Sequence, residues 1–241
     1  MDQELIQKLA TYKPKLTTSD LIKNTPVIVL VGPTGAGKDS LKDKLLGTGD
    51  YYHIISHTTR LPRINHGVLE LEGREYYFID KKEALRMLDN QEFIEAKGYS
   101  GNLYGTSVAE IQTAHDEGKI ALTDIEVQGV AEYKSFDPNV MAVFLLPPDF
   151  KTWQNRLRNR YGDVVDAADY RMRMETGLQE IEQLLNTNYY IPVINDDFEA
   201  AINEIQTISK TGKHDRTAEA VAHKVAEKLA VDIQSHLDET A

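Results

Sequence analysis

Cysteine is absent from the 241 residues of this chain. That excludes disulfides, thiolate nucleophiles and thiolate metal sites. Long apolar runs are missing too: none approaches the roughly 18–20 residues that span a bilayer. The opening residues, MDQELIQKLATYKPKL, lack the basic-then-apolar order of a secretory signal. The expectation is a cytoplasmic protein with no membrane partner. Basic residues are in short supply, 27 Lys and Arg against 38 Asp and Glu, for a net charge of −11. A nucleic-acid binder needs a basic footprint, so that class is set aside. Any phosphate site must be a local positive island in a negative field. The remainder, 41% hydrophobic and 27% charged, is the composition of a globular chain long enough for one sizeable core.

The most informative stretch is VIVLVGPTGAGKDS, residues 27–40. The unbroken apolar run from Val27 to Val31 reads as a strand buried on both faces. After the glycine turn, Leu41, Leu45 and Leu46 fall at helical spacing, with Gly47 as a stop. Strand, glycine loop and helix in this order make a phosphate cradle. The glycines let backbone N–H groups face phosphate oxygens, the helix adds its positive end, and Lys38 supplies a cation. Gly32, Pro33, Thr34, Gly35, Ala36, Gly37, Lys38, Asp39 and Ser40 are therefore the candidate ATP site. P-loops usually follow the lysine with Ser or Thr, whose hydroxyl reaches magnesium. Here Asp39 takes that place and Ser40 follows. Two roles are open to Asp39. It binds magnesium, which accepts carboxylate oxygens, with Ser40 assisting; or it points away as an acid favourable to the helix N-terminus.

Elsewhere the first 26 residues read as a short helix plus a linker. HIISHTTR and REYYFID are β-rich, KKEALRMLDN is a helix, and EFIEAKGYSGNLYGTS is a strand pair around glycine turns. A helix from about Val108 to Glu117 precedes buried strands in KIALTDIEV, VMAVFLLPP and IPVIND. Strands alternating with helices predict an α/β fold with a parallel sheet. From Lys151 to Arg173, six basic residues (Lys151, Arg156, Arg158, Arg160, Arg171, Arg173) face three acids. They form either a solvated helix face or the positive island. A hydrophilic linker, SKTGKHDR, leads to an amphipathic helix whose stripe is Val221, Val225, Leu229, Ile233 and Leu237.

SHTTRLPR sets Arg60 and Arg63 on a short turn beside the hydroxyls of Ser56, Thr58 and Thr59. Two guanidinium forks with hydroxyls suit a phosphate monoester. Glu70, Gly73, Tyr76 and Phe78 follow, then Glu95, then GNLYGTS with Tyr104 and Thr106. On these motifs, with DIEVQGV and VINDDF, the chain resembles guanylate kinases from about Val27 to Ile202. The resemblance implies an α/β P-loop kinase core with a parallel sheet flanked by helices, a β-rich nucleoside monophosphate-binding lobe and a helical lid. The boundaries it implies are an N-terminal extension over 1–26 and a guanylate kinase-like domain over 27–208. Within that domain the core covers 27–55, 107–149 and 187–208, the acceptor lobe 56–106 and the lid 150–186. A linker and C-terminal helix fill 209–241.

The activity implied is magnesium-dependent transfer of the ATP γ-phosphoryl group to GMP, with dGMP a further acceptor to test. Ser56, Arg60, Arg63, Tyr76 and Tyr104 would hold the GMP phosphate, with Glu70 in the same site. Glu95 and Thr106 would read guanine, with Glu126 and Asp124 also in the GMP site and Asp124 organising magnesium or its waters. Guanine offers N1–H and an exocyclic amine, which one carboxylate accepts together. Adenine offers no such pair, and the polar group left unpaired discriminates strongly. Lys38, Arg160 and either Arg171 or Arg173 would meet the transferring group, with Arg156 and Asn195 on the ATP side. Asp39, Ser40 and Asp124 are the metal candidates. Two departures stand out. INHGVLE, with His66 as a loop residue, is longer than the family's usual turn. Lys38-Asp39-Ser40 resembles ribose bisphosphate kinases of the same fold. Glu95, Thr106 and the tyrosines argue against that alternative, since a sugar phosphate carries no guanine. The loop glycines and Lys38 argue against a guanylate kinase-like binding module.

Overall fold

A computed structural model of the chain describes residues 2–15, 17–65, 68–125, 127–161 and 167–240. In chain order the elements begin with α1 (Gln3–Thr11), α2 (Thr17–Lys23), β1 (Val27–Val31), α3 (Lys38–Leu46), β2 (Tyr51–His53) and β3 (His57–Thr58). Next come β4 (Ile64–Asn65), β5 (Val68–Leu69), β6 (Tyr77–Phe78), α4 (Lys81–Asp89), β7 (Phe93–Tyr99), β8 (Asn102–Ser107) and α5 (Val108–Asp116). The remainder is β9 (Ile120–Asp124), α6 (Val127–Phe136), β10 (Met141–Leu146), α7 (Phe150–Tyr161), α8 (Ala167–Leu185), β11 (Tyr190–Ile194), α9 (Phe198–Thr211) and α10 (Arg216–Glu239). The chain divides into two compact units. The first is Met1–Val27, Tyr51–Thr123 and Ala131–Asn139; the second is Ile28–Asp50, Asp124–Val130 and Val140–Ala241.

In the second unit β1, β10 and β11 run parallel, with Ile28 opposite Met141 and Ala142 opposite Tyr190. Ile28, Val29, Leu30 and Val31 are buried completely, as an apolar run without alternation requires. α9 and α10 lie against β10 and β11, and α10 also packs on α7 and α8. The phosphate loop therefore leaves the C-terminal end of a parallel strand, the end at which open α/β sheets place ligands.

In the first unit β2 and β9 pair in parallel, and β6, β3, β8 and β7 form a separate mixed sheet in that order. Asp80 caps α4 by accepting from the Glu83 amide at 2.7 Å. α4 buries Ala84, Met87 and Leu88 with Phe93 and Leu103. The N-terminal segment completes this core. Leu5 is buried in it, Leu9 and Tyr12 pack against it, and the Tyr12 hydroxyl both donates to the Phe93 carbonyl (2.6 Å) and accepts from its amide (2.9 Å). β7 is an edge strand of its sheet, so backbone groups facing away from β8 need partners from outside the ladder, and Tyr12 supplies those of Phe93.

Three local expectations need correction. A second helix, α2, occupies the stretch expected as linker, because Ile22 and Thr18 have a core to face. The linker SKTGKHDR is shorter than expected. α9 runs through Thr211, Gly212 closes it in the left-handed conformation, and Asp215 already caps α10. The α10 stripe is also turned. Ala222, Ala226, Leu229, Ile233 and Leu237 are buried, whereas Val221 is 51% exposed. Repeated four-residue steps drift about 40° each on a helix of 3.6 residues per turn, so the step from Ala226 to Leu229 must be three. His66 lies outside the described residues.

Candidate active site

The phosphate loop is clamped by side chains of its own unit. Gly37, at φ 101°, is the N-cap of α3 and provides no side-chain cap, which leaves the first amides of the helix for a ligand. A Cβ on Gly37 would collide with the Asn195 amide, and one on Gly32 with the Leu145 carbonyl. The Asn195 side chain donates to the Ala36 carbonyl at 2.7 Å, and Arg156 Nη2 donates to the Asn195 carbonyl at 2.8 Å. Trp153 Nε1 donates to the Thr34 carbonyl at 2.7 Å, and Leu157 closes over Gly35. Asn195 and Arg156, expected on the ATP side, are thus seen bracing the loop itself.

Lys38 Nζ donates to the carbonyls of Gly32 and Pro33. Burial depresses its pKa, opposed by the fields of Glu180, Asp124 and Asp39, while Arg160 pushes with burial. Asp39 does not stand alone: Arg160 Nη1 lies 3.1 Å from its Oδ2. Ser40 is exposed on the first turn of α3. Asp124, at the end of β9, accepts from Lys42 Nζ at 2.8 Å.

The two candidate arginines of α8 part company. Gly177 of α8 packs on Pro33 and the Trp153 ring, so the face carrying Arg173, Gly177 and Glu180 turns toward the phosphate loop. Arg171 lies on another face. It donates to Glu175 at 2.9 Å and, through Nη1, to the Leu237 carbonyl of α10 at 3.2 Å.

Of the expected GMP residues, Ser56, Arg60, Arg63, Glu70, Tyr76, Glu95, Tyr104 and Thr106 gather in the first unit, on β7, β8 and the turns beside β3, β5 and β6, whereas Asp124 belongs to the second unit. Arg60 donates from Nε to the Tyr104 hydroxyl (3.1 Å) and from Nη1 and Nη2 to Glu70 (2.7 and 3.1 Å), and its guanidinium lies 5.2 Å from the Tyr76 ring centroid. Glu70, only 4% exposed, also accepts from the amide and Nε of Arg63 at 3.0 and 3.2 Å. Burial raises the Glu70 carboxyl, but Arg60 and the Arg63 backbone outweigh it and hold the pKa below the usual carboxylate value. Glu70 is therefore seen organising two arginines. Its oxygens accept four donors, two from each.

At the other end of the β7–β8 ladder, Glu95 Oε1 accepts from the Thr106 amide (3.1 Å) and hydroxyl (3.0 Å), and Ser56 Oγ lies 3.4 Å from Thr106 Oγ1. Burial pushes the Glu95 pKa up to about 7, with Glu132 adding to the rise and Thr106 and Lys97 opposing it. Tyr133 is fully buried, and burial together with the charge of Glu95 pushes its hydroxyl pKa up. A half-buried carboxylate with one oxygen held by Thr106 keeps its other oxygen for a ligand donor. Glu126 lies outside the described residues.

A family model described as guanylate kinase matches residues 24–211. The chain belongs to the guanylate kinase family. Among curated relatives, a guanylate kinase of Schizosaccharomyces pombe is 36% identical over 84% of this chain and 96% of its own length. One from Trichormus variabilis is 34% identical over 83% of this chain and 94% of its own length. A crystal structure of guanylate kinase from Anaplasma phagocytophilum superposes with a TM-score of 0.57 at 26% identity, covering 80% of this chain and 89% of that one. α1, α2 and α10 lie outside the residues that the family model matches. Among the described residues no helix is long and apolar enough to cross a membrane.

Sequence reasoning passed over Trp153, Gly177 and Tyr133, whereas the spacing to Glu180 already favoured Arg173 and the spacing from Arg160 favoured Arg171. Trp153 had a readable signal. It is the chain's single tryptophan, and with Arg156, Leu157 and Arg160 it falls at three- and four-residue steps on one helix face. Tyr133 had none, since its neighbours are distant in sequence.

Proposed function

We infer that the protein transfers the γ-phosphoryl group of ATP to the phosphate of GMP, giving ADP and GDP. The observation that carries this reading is Glu95. Its carboxylate is partly desolvated, anchored by Thr106, and set in the same unit as an Arg60–Tyr104–Tyr76 group suited to a phosphate monoester. A carboxylate accepts both guanine donors, and neither a sugar phosphate nor adenine can satisfy it in that way.

The roles follow from the chemistry. Arg60, Arg63, Ser56, Tyr76 and Tyr104 bind the GMP phosphate, with Glu70 positioning the two arginines. The attacking phosphate oxygen is largely ionised near neutral pH, so no strong general base is needed. Catalysis is then positioning and charge neutralisation. Lys38 and the loop amides hold the donor phosphates. Arg160 and Arg173, rather than Arg171, meet the transferring group from the lid over 150–186.

Asp39, Ser40 and Asp124 offer the hard oxygen donors that magnesium takes, which fits the metal. Among the described residues no cluster of three or more His, Cys, Asp or Glu makes a self-contained metal site. When bound, magnesium would neutralise charge on the β- and γ-phosphates.

The deciding experiment is ADP release from magnesium-ATP with GMP, dGMP, AMP, UMP and ribose bisphosphate as parallel acceptors. Selective turnover of GMP, with dGMP slower or equal, is expected. Turnover of ribose bisphosphate in preference to GMP would overturn the assignment of Glu95.

A further inference from the structure

We propose that Asp39 and Arg160 are a matched pair: Arg160 cancels the charge that Asp39 brings to the phosphate loop, so that the loop accepts ATP despite a carboxylate where a hydroxyl is usual. This rests on the reading of residues 32–40 as the ATP site. Asp39 follows Lys38 on the first turn of α3, the end of the helix that receives phosphate charge. Like charges about 4 Å apart, in the intermediate dielectric of a protein surface, oppose each other by as much as about a thousandfold in affinity. A bare carboxylate there works against everything the loop amides and Lys38 do.

The opposing charge is delivered by the fold. Trp153 is tied to the Thr34 carbonyl, Leu157 covers Gly35, and Arg156 reaches the Asn195 carbonyl. Those anchors lie on one face of α7, and Arg160 is the next residue along that face, one helical step beyond Arg156 and Leu157. With the helix seated on the loop, the Arg160 guanidinium reaches Asp39 at 3.1 Å. Both side chains remain open to solvent, at 39% and 56% exposure, so the pair masks charge without being locked in place. A serine or threonine at position 39 could not hold a guanidinium in this way. Arg160 thus covers Asp39 in addition to facing the transferring group.

The test is a double-variant cycle read by equilibrium ATP binding, by calorimetry, in EDTA and again with excess magnesium. Arg160→Ala is expected to weaken ATP binding in EDTA by about tenfold or more, because it removes a cation and unmasks the carboxylate. Adding Asp39→Ser to that variant should recover the part of the loss that the unmasked carboxylate causes, several-fold in affinity, and Arg160→Lys should stay within a few-fold of wild type. The rescue is the distinguishing sign. A double variant that binds ATP as weakly as Arg160→Ala, or more weakly, would overturn the pairing, as would an Arg160→Ala variant that binds normally. Wild-type protein that fails to bind ATP in either condition would overturn the nucleotide reading and the pair with it. Binding by wild type without rescue removes the pair alone.

Discussion

Glu95 meets two opposing demands. Folding removes water from its carboxylate and pushes its pKa to about 7, whereas guanine recognition needs it ionised. The unfolded carboxyl titrates near 4.5, so between about pH 4.5 and 7 the folded state holds more protons and stability falls as pH rises. Glu95→Gln should therefore stabilise the free protein by roughly 1–3 kcal/mol at pH 8 and by much less at pH 5, measured by urea denaturation. The same variant should raise KM for GMP by roughly a hundredfold at pH 8, since the amide nitrogen faces donors where a carboxylate accepted them. In the wild type, KM for GMP should climb as pH falls through about 7. In Glu95→Gln only the titration of GMP itself should remain. Two parallel pH curves would disprove the assignment. The proposed guanine-reading role of Glu95 rests on the motif around it, which the sequence shows. Its cost to stability was not legible, because that depends on burial and on Glu132, which reach it only through the fold. Asp39 is the same lesson in reverse: the residue was visible as a departure, while its partner Arg160 lies far along the chain.

An element can be legible while its orientation is not. α8 was expected as a helix, and sequence spacing left Arg171 and Arg173 as rivals for one role. Helix phase separates them once Gly177 is seen against Pro33, because Arg173 precedes it by four residues and Arg171 by six. Arg171 is spent on Glu175 and the α10 carbonyl of Leu237. Arg173→Ala should thus lower kcat by about a hundredfold or more, as loss of a transition-state cation does. Arg171→Ala should leave kcat within about threefold and cost about 1 kcal/mol or less of stability, in keeping with an exposed pair and one backbone bond. Steady-state kinetics on the two variants, with a denaturant curve for each, decides between them, and equal losses of kcat would refute the phase argument. The turned stripe of α10 has the same origin. Apolar residues mark a helix from sequence, but the buried edge is chosen by the partner. Here α8 and the strands beneath accept Ala222 and Ala226 and leave Val221 in water.

At the scale of the whole chain, a net charge of −11 and two anionic substrates look incompatible until the binding groups are sorted by unit. Arg60, Arg63, Glu95, Tyr104 and Thr106 belong to the first unit, and the phosphate loop, Arg160 and Arg173 to the second. Each unit concentrates its own cations, so each local island outweighs the global field within a Debye length of about 8–10 Å. The sequence showed the motifs in order, yet the unit boundaries cross the motif order. Val27 closes one segment of the first unit, and the loop that follows β1 belongs to the second. This division predicts separable protection. A ligand at about a hundred times its dissociation constant stabilises what it binds by about 2.7 kcal/mol, enough to slow exchange through local opening by roughly a hundredfold. GMP alone should slow amide exchange around β3 and the β7–β8 ladder, while ATP alone should slow it over residues 32–41. Hydrogen exchange read by mass spectrometry on peptides from each segment measures both. Protection of residues 32–41 by GMP alone, with β7 and β8 unchanged, would place the acceptor on the wrong unit. The Glu95 and Arg60 assignments would then fail together, whatever the turnover assay showed.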